Sequence, residues 1–197
     1  MSSNRDLVAK LVAALLIVGL LAGLLVFWQW KSRQEAAPAA QEISRHNLVQ
    51  NDGRWYRTDQ TNPFTGRMLD YYPSGQLLSR SVISNGLFNG LSETWFTNGQ
   101  LQVQEYYRNG LSHGARTKWH ENGTNLSRAT IVEGKVNGTF QSWHDNGQLY
   151  EQIEMKSGQP TGVAWAFYPS GFVKAQTTIS NAQIVSQETW KDGERNK

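Results

Sequence analysis

The sequence predicts an all-β domain, an antiparallel meander of repeated β-hairpins, preceded by a single transmembrane α-helix. Three observations carry this reading. A 24-residue unit recurs with glycine at its head, at Gly66, Gly90, Gly114, Gly138 and Gly162, and an aromatic residue five positions on, at Tyr71, Trp95, Trp119, Trp143 and Phe167. Two further glycine series punctuate each unit, one at Gly75, Gly99, Gly123, Gly147 and Gly171 and one at Gly86, Gly110, Gly134 and Gly158. Upstream, residues 11–28 form an uncharged, almost wholly apolar run. A fixed period of this length marks a repeat array, in which each unit buries apolar surface by stacking on its neighbours.

After a short tail, residues 1–10, the apolar run extends to Trp30 if Gln29 is counted. A span over 11–30 meets the roughly 20 residues a helix needs to cross a bilayer. Trp28 and Trp30 stand where interfacial aromatic anchors sit. A cleaved signal peptide is the competing reading, because Ala37, Pro38 and Ala39 follow. The run exceeds the usual apolar core of about 7–15 residues, and Lys31 and Arg33 come directly after it, which favours an uncleaved anchor. Arg5 and Lys10 on one flank nearly balance Lys31 and Arg33 on the other. Large C-terminal domains translocate regardless of such charges, so the expectation is a single-pass membrane protein with its repeat domain on the extracytoplasmic side. Gly19 and Gly23 have the small-xxx-small spacing that lets two membrane helices approach, although glycine is common in such helices anyway. Residues 31–50, rich in Ala, Gln and Glu, read as a linker.

The repeat domain is read at 51–197, with units starting near 66, 90, 114, 138 and 162 and caps at 51–65 and 186–197. Asn or Ser before Gly, as in Asn98-Gly99 and Asn109-Gly110, suits tight hairpins because these residues tolerate positive φ. Helix fails as an alternative, since glycine recurs too often and no 3.6-residue apolar stripe appears. If both turns of a unit are three-residue loops, odd offsets from the head glycine share one face. That predicts a cross-strand row of Tyr71, Leu77, Trp95, Leu101, Trp119, Asn125, Trp143, Leu149, Phe167 and Val173, with Ile83, Tyr107, Ile131, Met155 and Ile179 on the same side. Arg80, Gln104, Arg128, Gln152 and Gln176 then fall on the opposite, polar face. No helical segment remains to cover the aromatic side, so it packs on itself or binds something. The row reads as core, and Trp95→Ala/Trp119→Ala is expected to unfold the domain at about 3–5 kcal/mol per buried aromatic.

Composition excludes several classes. Hydrophobic content of 39% with eight Trp, seven Tyr and seven Phe is too high for disorder. Of 19 basic and 16 acidic residues, 15 and 14 lie beyond residue 35, a balance with no electrostatic footprint for nucleic acid. Zero cysteines exclude disulfides and thiol chemistry. His120 and His144 share an offset, each followed by a carboxylate, and invite a metal or acid-base reading. Two strand spacings, about 9.6 Å, separate them, too far for one zinc ion. Tyr72, Phe96 and Tyr168 fill that offset elsewhere, so it favours rings; the pair stands as a candidate for surface recognition. No catalytic signature and no cofactor motif is present, and a non-enzymatic protein is expected.

The hairpin unit Gly-x4-Trp-x-x-Asn-Gly-Gln-Leu, at residues 90–101 and 138–149 with a looser copy at 66–77, resembles the MORN-repeat variant of bacterial YwqK-type proteins. The lead-in Asn62-Pro63-Phe64-Thr65-Gly66 looks like one that many of them share. The resemblance implies a β-hairpin array that binds other macromolecules. The expected function is a membrane-anchored scaffold, held by residues 11–30, that binds a protein partner or itself. Two alternatives stand beside it. The resemblance implies an antitoxin of a toxin-antitoxin pair, and the aromatic-glycine pattern also fits a cell-wall or polysaccharide-binding module.

Overall fold

The computed structural model describes residues 41–194. The expected tail and membrane span, the first half of the linker, and Gly19 and Gly23 lie outside the described residues. No helix among the described residues is long and apolar enough to cross a membrane. The described residues open with β1 (Glu42–Ser44), a 3-10 turn (Arg45–Asn47), β2 (Leu48–Asn51) and β3 (Arg54–Arg57). Residues 41–50, within the stretch read as linker, therefore carry secondary structure. The meander follows as β4 (Gly66–Tyr71), β5 (Leu77–Ser84), β6 (Leu87–Trp95), β7 (Leu101–Arg108), β8 (Leu111–Trp119) and β9 (Asn125–Val132). It continues through β10 (Lys135–Val136), β11 (Gly138–Trp143), β12 (Leu149–Lys156), β13 (Gln159–Phe167), β14 (Val173–Ser180) and β15 (Gln183–Thr189). From β4 onward, strands pair antiparallel in chain order, with β10 and β11 both pairing with β9, while β1 adds in parallel outside β4.

Two turn types alternate, and they explain both glycine series. At the first, Tyr72 N–H donates to Gln76 (2.9 Å) and Gly75 N–H to Tyr72 (2.9 Å), closing a three-residue loop that ends on Gly75 at φ +87°. The second is a two-residue loop, Asn85 at φ +49° and Gly86 at +77°, flanked by the Ser84–Leu87 pair. Both central residues at positive φ define the type I′ hairpin, whose twist matches that of the strands. The last such turn has Ala182 at φ +58° where earlier units have glycine. A Cβ is disfavoured there, so Ala182→Gly raises stability by about 0.5–1 kcal/mol after glycine's own entropy cost. Denaturant unfolding measures the gain.

This turn chemistry corrects the face assignment read from the sequence. Each three-residue loop is followed by a bulge: Tyr71 pairs with Leu77 and Asp70 with Ser79, leaving Leu78 as an extra residue. Gln102, Leu126, Tyr150 and Lys174 are its counterparts. One inserted residue flips every later side chain in the strand to the other face. The second turn has two residues, not three, which breaks the expected phase again. Tyr71, Trp95, Trp119, Trp143 and Phe167 still pair with Leu77, Leu101, Asn125, Leu149 and Val173. Ile83, Tyr107, Ile131, Met155 and Ile179, however, lie on the opposite face, opposite the head glycines Gly66, Gly90, Gly114, Gly138 and Gly162.

That opposite face holds the best-buried side chains, Ile83 and Ile131 at 1% exposure. Over β4–β6 it is covered by residues 41–65, where Ile43, Leu48, Trp55 and Phe64 pack with Met68 and Ile83. The β2–β3 hairpin turns at Asp52-Gly53 and docks through Trp55 N–H to Gly86 O (2.8 Å), while Gly86 N–H donates to Phe64 O (2.8 Å) of the segment that follows it. Beyond this cap, the strands' substantial contacts among the described residues are with sheet neighbours, so the array is a single layer.

A polar cluster interrupts the apolar face. Glu105 accepts from Tyr107 Oη (3.0 Å), Arg116 Nη1 (3.1 Å) and Ser112 Oγ. Burial, with the Glu105 charge beside it, pushes the Tyr107 phenol up to about 12 from 10.0. The folded state thus favours the protonated phenol, and this contribution is complete below about pH 10 and lost as pH rises towards about 12. Tyr107→Phe should flatten that alkaline loss, read as unfolding midpoint against pH for variant and wild type.

Candidate interaction face

The face opposite Ile83 and Ile131 carries two parallel tracks. The first is the aromatic row. Tyr71 is 41% exposed, and Trp95, Trp119, Trp143 and Phe167 are half-buried. Neither core nor freely solvated, the row departs from the fully buried ladder expected from the sequence.

The second track is polar and lies two residues away along each first strand, hence on the same side. Direct cross-strand pairs run from Leu69 through Arg80, Glu93, Gln104, Thr117, Arg128, Gln141 and Gln152 to Trp165, Gln176 and Glu188. Arg80, Gln104, Arg128, Gln152 and Gln176 therefore share the aromatic face, contrary to the sequence expectation, because the bulge reverses their side. The guanidinium of Arg80 lies 5.5 Å from the Trp95 ring centroid and that of Arg128 5.7 Å from Trp143. Arg80 also binds Glu93 (2.7 Å), which takes Gln104 Nε2 on its other oxygen (3.2 Å). Cross-strand links of this kind fix the long side chains in register. Trp165 went unnoticed in the sequence, although a tryptophan where other units hold Glu93, Thr117 and Gln141 is the signal that would have found it.

The tight loops at one margin are stitched to one another. Tyr72 Oη donates to Trp95 O (2.8 Å) and Tyr168 Oη to Trp190 O (2.9 Å). His120 Nε2 donates to Trp143 O (2.9 Å) and His144 Nε2 to Phe167 O (3.0 Å), so the two histidines do the same work as the tyrosines at their offset. Beside them Asn98, Asn122 and Asn146 donate to the carbonyls of Glu121, Asp145 and Pro169 at 2.7–2.9 Å. Gly75, Gly99, Gly123, Gly147 and Gly171, all at φ +83° to +88°, close the loops that carry these side chains. The Tyr168–Trp190 bond identifies Trp190 as the aromatic of an incomplete sixth unit, one residue early because β15 carries one extra residue against β14 where β6 carries two against β5.

Comparison with known families decides the repeat type. The MORN repeat variant matches residues 64–85, 88–109 and 136–157, each spanning two strands and the loop between them. The chain carries MORN-variant repeats. The β8–β9 hairpin between the matched segments and the β13–β14 hairpin after them have the same loops, bulges and pairing, so one hairpin geometry runs through five units. No curated protein matches the chain.

Proposed function

We propose that the protein is a membrane-anchored, non-enzymatic scaffold that binds a protein partner, or itself, through its MORN-variant array. The observation that carries this reading is the pairing of a half-exposed aromatic row with an amide and guanidinium ladder on one uncovered face. Aromatic residues and arginine are the side chains that dominate binding hot spots, and single-layer repeat arrays present long surfaces for such contacts. Residues 11–30 supply the anchor, with the array on the extracytoplasmic side. The polysaccharide reading keeps one specific support: rings at every second strand, flanked by amides, could stack on successive sugars of an extended glycan.

Crosslinking and affinity capture of the full-length protein in its own membrane tests the proposal. Because the row is half-buried and not core, Trp95→Ala/Trp119→Ala should stay folded, contrary to the sequence expectation, and lose the partner; Arg128→Ala/Gln141→Ala, which touches the same face without emptying an aromatic site, should weaken it. Capture undiminished by both variants would contradict the proposal. A captured glycan would favour the polysaccharide reading, and a single toxin encoded beside the protein would favour the antitoxin one.

A further inference from the structure

We infer that β15 pairs antiparallel with β15 of a second copy, forming a two-fold dimer whose sheet runs through both chains. The inference rests on the self-binding arm of the scaffold reading above and gives it a surface of its own, the sheet edge beside the aromatic face. β15 is the last strand of the sheet, and each of its residues is exposed. It has no Lys, Arg or Pro, the residues that usually blunt an edge strand. Ile184 and Val185, at 66% and 65%, are the most exposed large hydrophobics among the described residues. At the other end of the sheet the terminal strand is β1, only three residues long, and a very short edge strand offers little template for pairing. One long edge and one blunted edge give a closed pair of copies, not a filament.

The one-residue bulge between Ile184 and Ser186 does not block this edge. β6 is bulged against β5 beyond Phe88, yet it pairs with β7 on its other side from Gly90 to Trp95. The equivalent outward stretch of β15 is 186–189, and its sequence is self-complementary. With the axis at Gln187, that side chain faces Gln187 of the second copy, and Ser186 faces Glu188 of the second copy. The array already contains these two adjacent pairs. In β11–β12, Gln141 Nε2 donates to Gln152 Oε1 (2.9 Å) and Ser142 Oγ to Glu151 Oε1 (3.1 Å). An axis one residue later would oppose two Glu188 carboxylates, which cross-strand pairing disfavours.

The protein has no cysteine, so one thiol reports the contact. Opposed residues in an antiparallel pair stand about 4.5–5.5 Å apart at Cα, within disulfide reach. In the full-length chain under mild oxidation, Gln187→Cys should give a disulfide-linked dimer, whereas Val49→Cys, on the exposed side of β2, should not. Gln187→Lys places like charges at the axis and should weaken self-association about tenfold or more. If copies associate but Gln187→Cys does not crosslink, or Val49→Cys crosslinks equally, the β15 pairing is overturned while the scaffold reading stands. A chain that stays monomeric overturns the pairing and the self-binding arm together, leaving partner capture to decide the protein-binding arm.

Discussion

Replacing Trp55 with alanine lowers stability by about 3–5 kcal/mol, and the loss falls on one end of the array. Trp55 is buried among Ile43, Leu48, Phe64, Met68 and Ile83. Its N–H donates to Gly86 O (2.8 Å), its carbonyl accepts from Phe64 (2.8 Å), and the Arg45 guanidinium lies 4.3 Å from its ring centroid. Removing the ring empties the contact between the lead-in hairpin and the sheet. Because repeat arrays are held by neighbour contacts, the damage stays local. Amide exchange should show β1–β6 losing protection while β11–β15 keep theirs. Uniform loss would mean that the domain unfolds as one cooperative core.

Ile131→Ala has the second large effect, about 2–5 kcal/mol for a fully buried aliphatic residue. Ile131 sits mid-array, 1% exposed, where β9 meets Gly114 of β8 and Val136 of β10. Ile179 holds the same offset near the open end and is only half-buried. Ile179→Ala should therefore cost clearly less than Ile131→Ala in denaturant unfolding, and equal costs would count against burial by sheet neighbours as the source of stability.

The turns were legible because their chemistry is local. Asn85-Gly86 and Pro73-Ser74-Gly75 need no distant partner to bend the chain, and the MORN-variant likeness rests on the same positions. The cross-strand partners of the aromatics were legible too, because Trp95 and Leu101 flank one loop. What the sequence hid was the bulge, since an extra residue such as Gln102 looks like any other strand residue until both partners are known. That one residue moves Arg80 and Arg128 beside Trp95 and Trp143 and carries Ile83 and Ile131 to the far side. The candidate face was thus half visible, its aromatics in view and its polar ladder assigned to the wrong side. Residues 41–50 read as linker because β1 and β2 are too short to show a period; they are ordered by pairing with β4 and β3.

Radical footprinting of the tryptophans, read residue by residue in the mass spectrometer, tests the central claim most directly. In the purified full-length chain, Trp95, Trp119 and Trp143 should oxidise readily while the buried Trp55 stays protected, and in the native membrane the three row tryptophans should become protected by what they bind. Row tryptophans as unreactive as Trp55 in the purified chain, or equally reactive in both settings, would contradict the account.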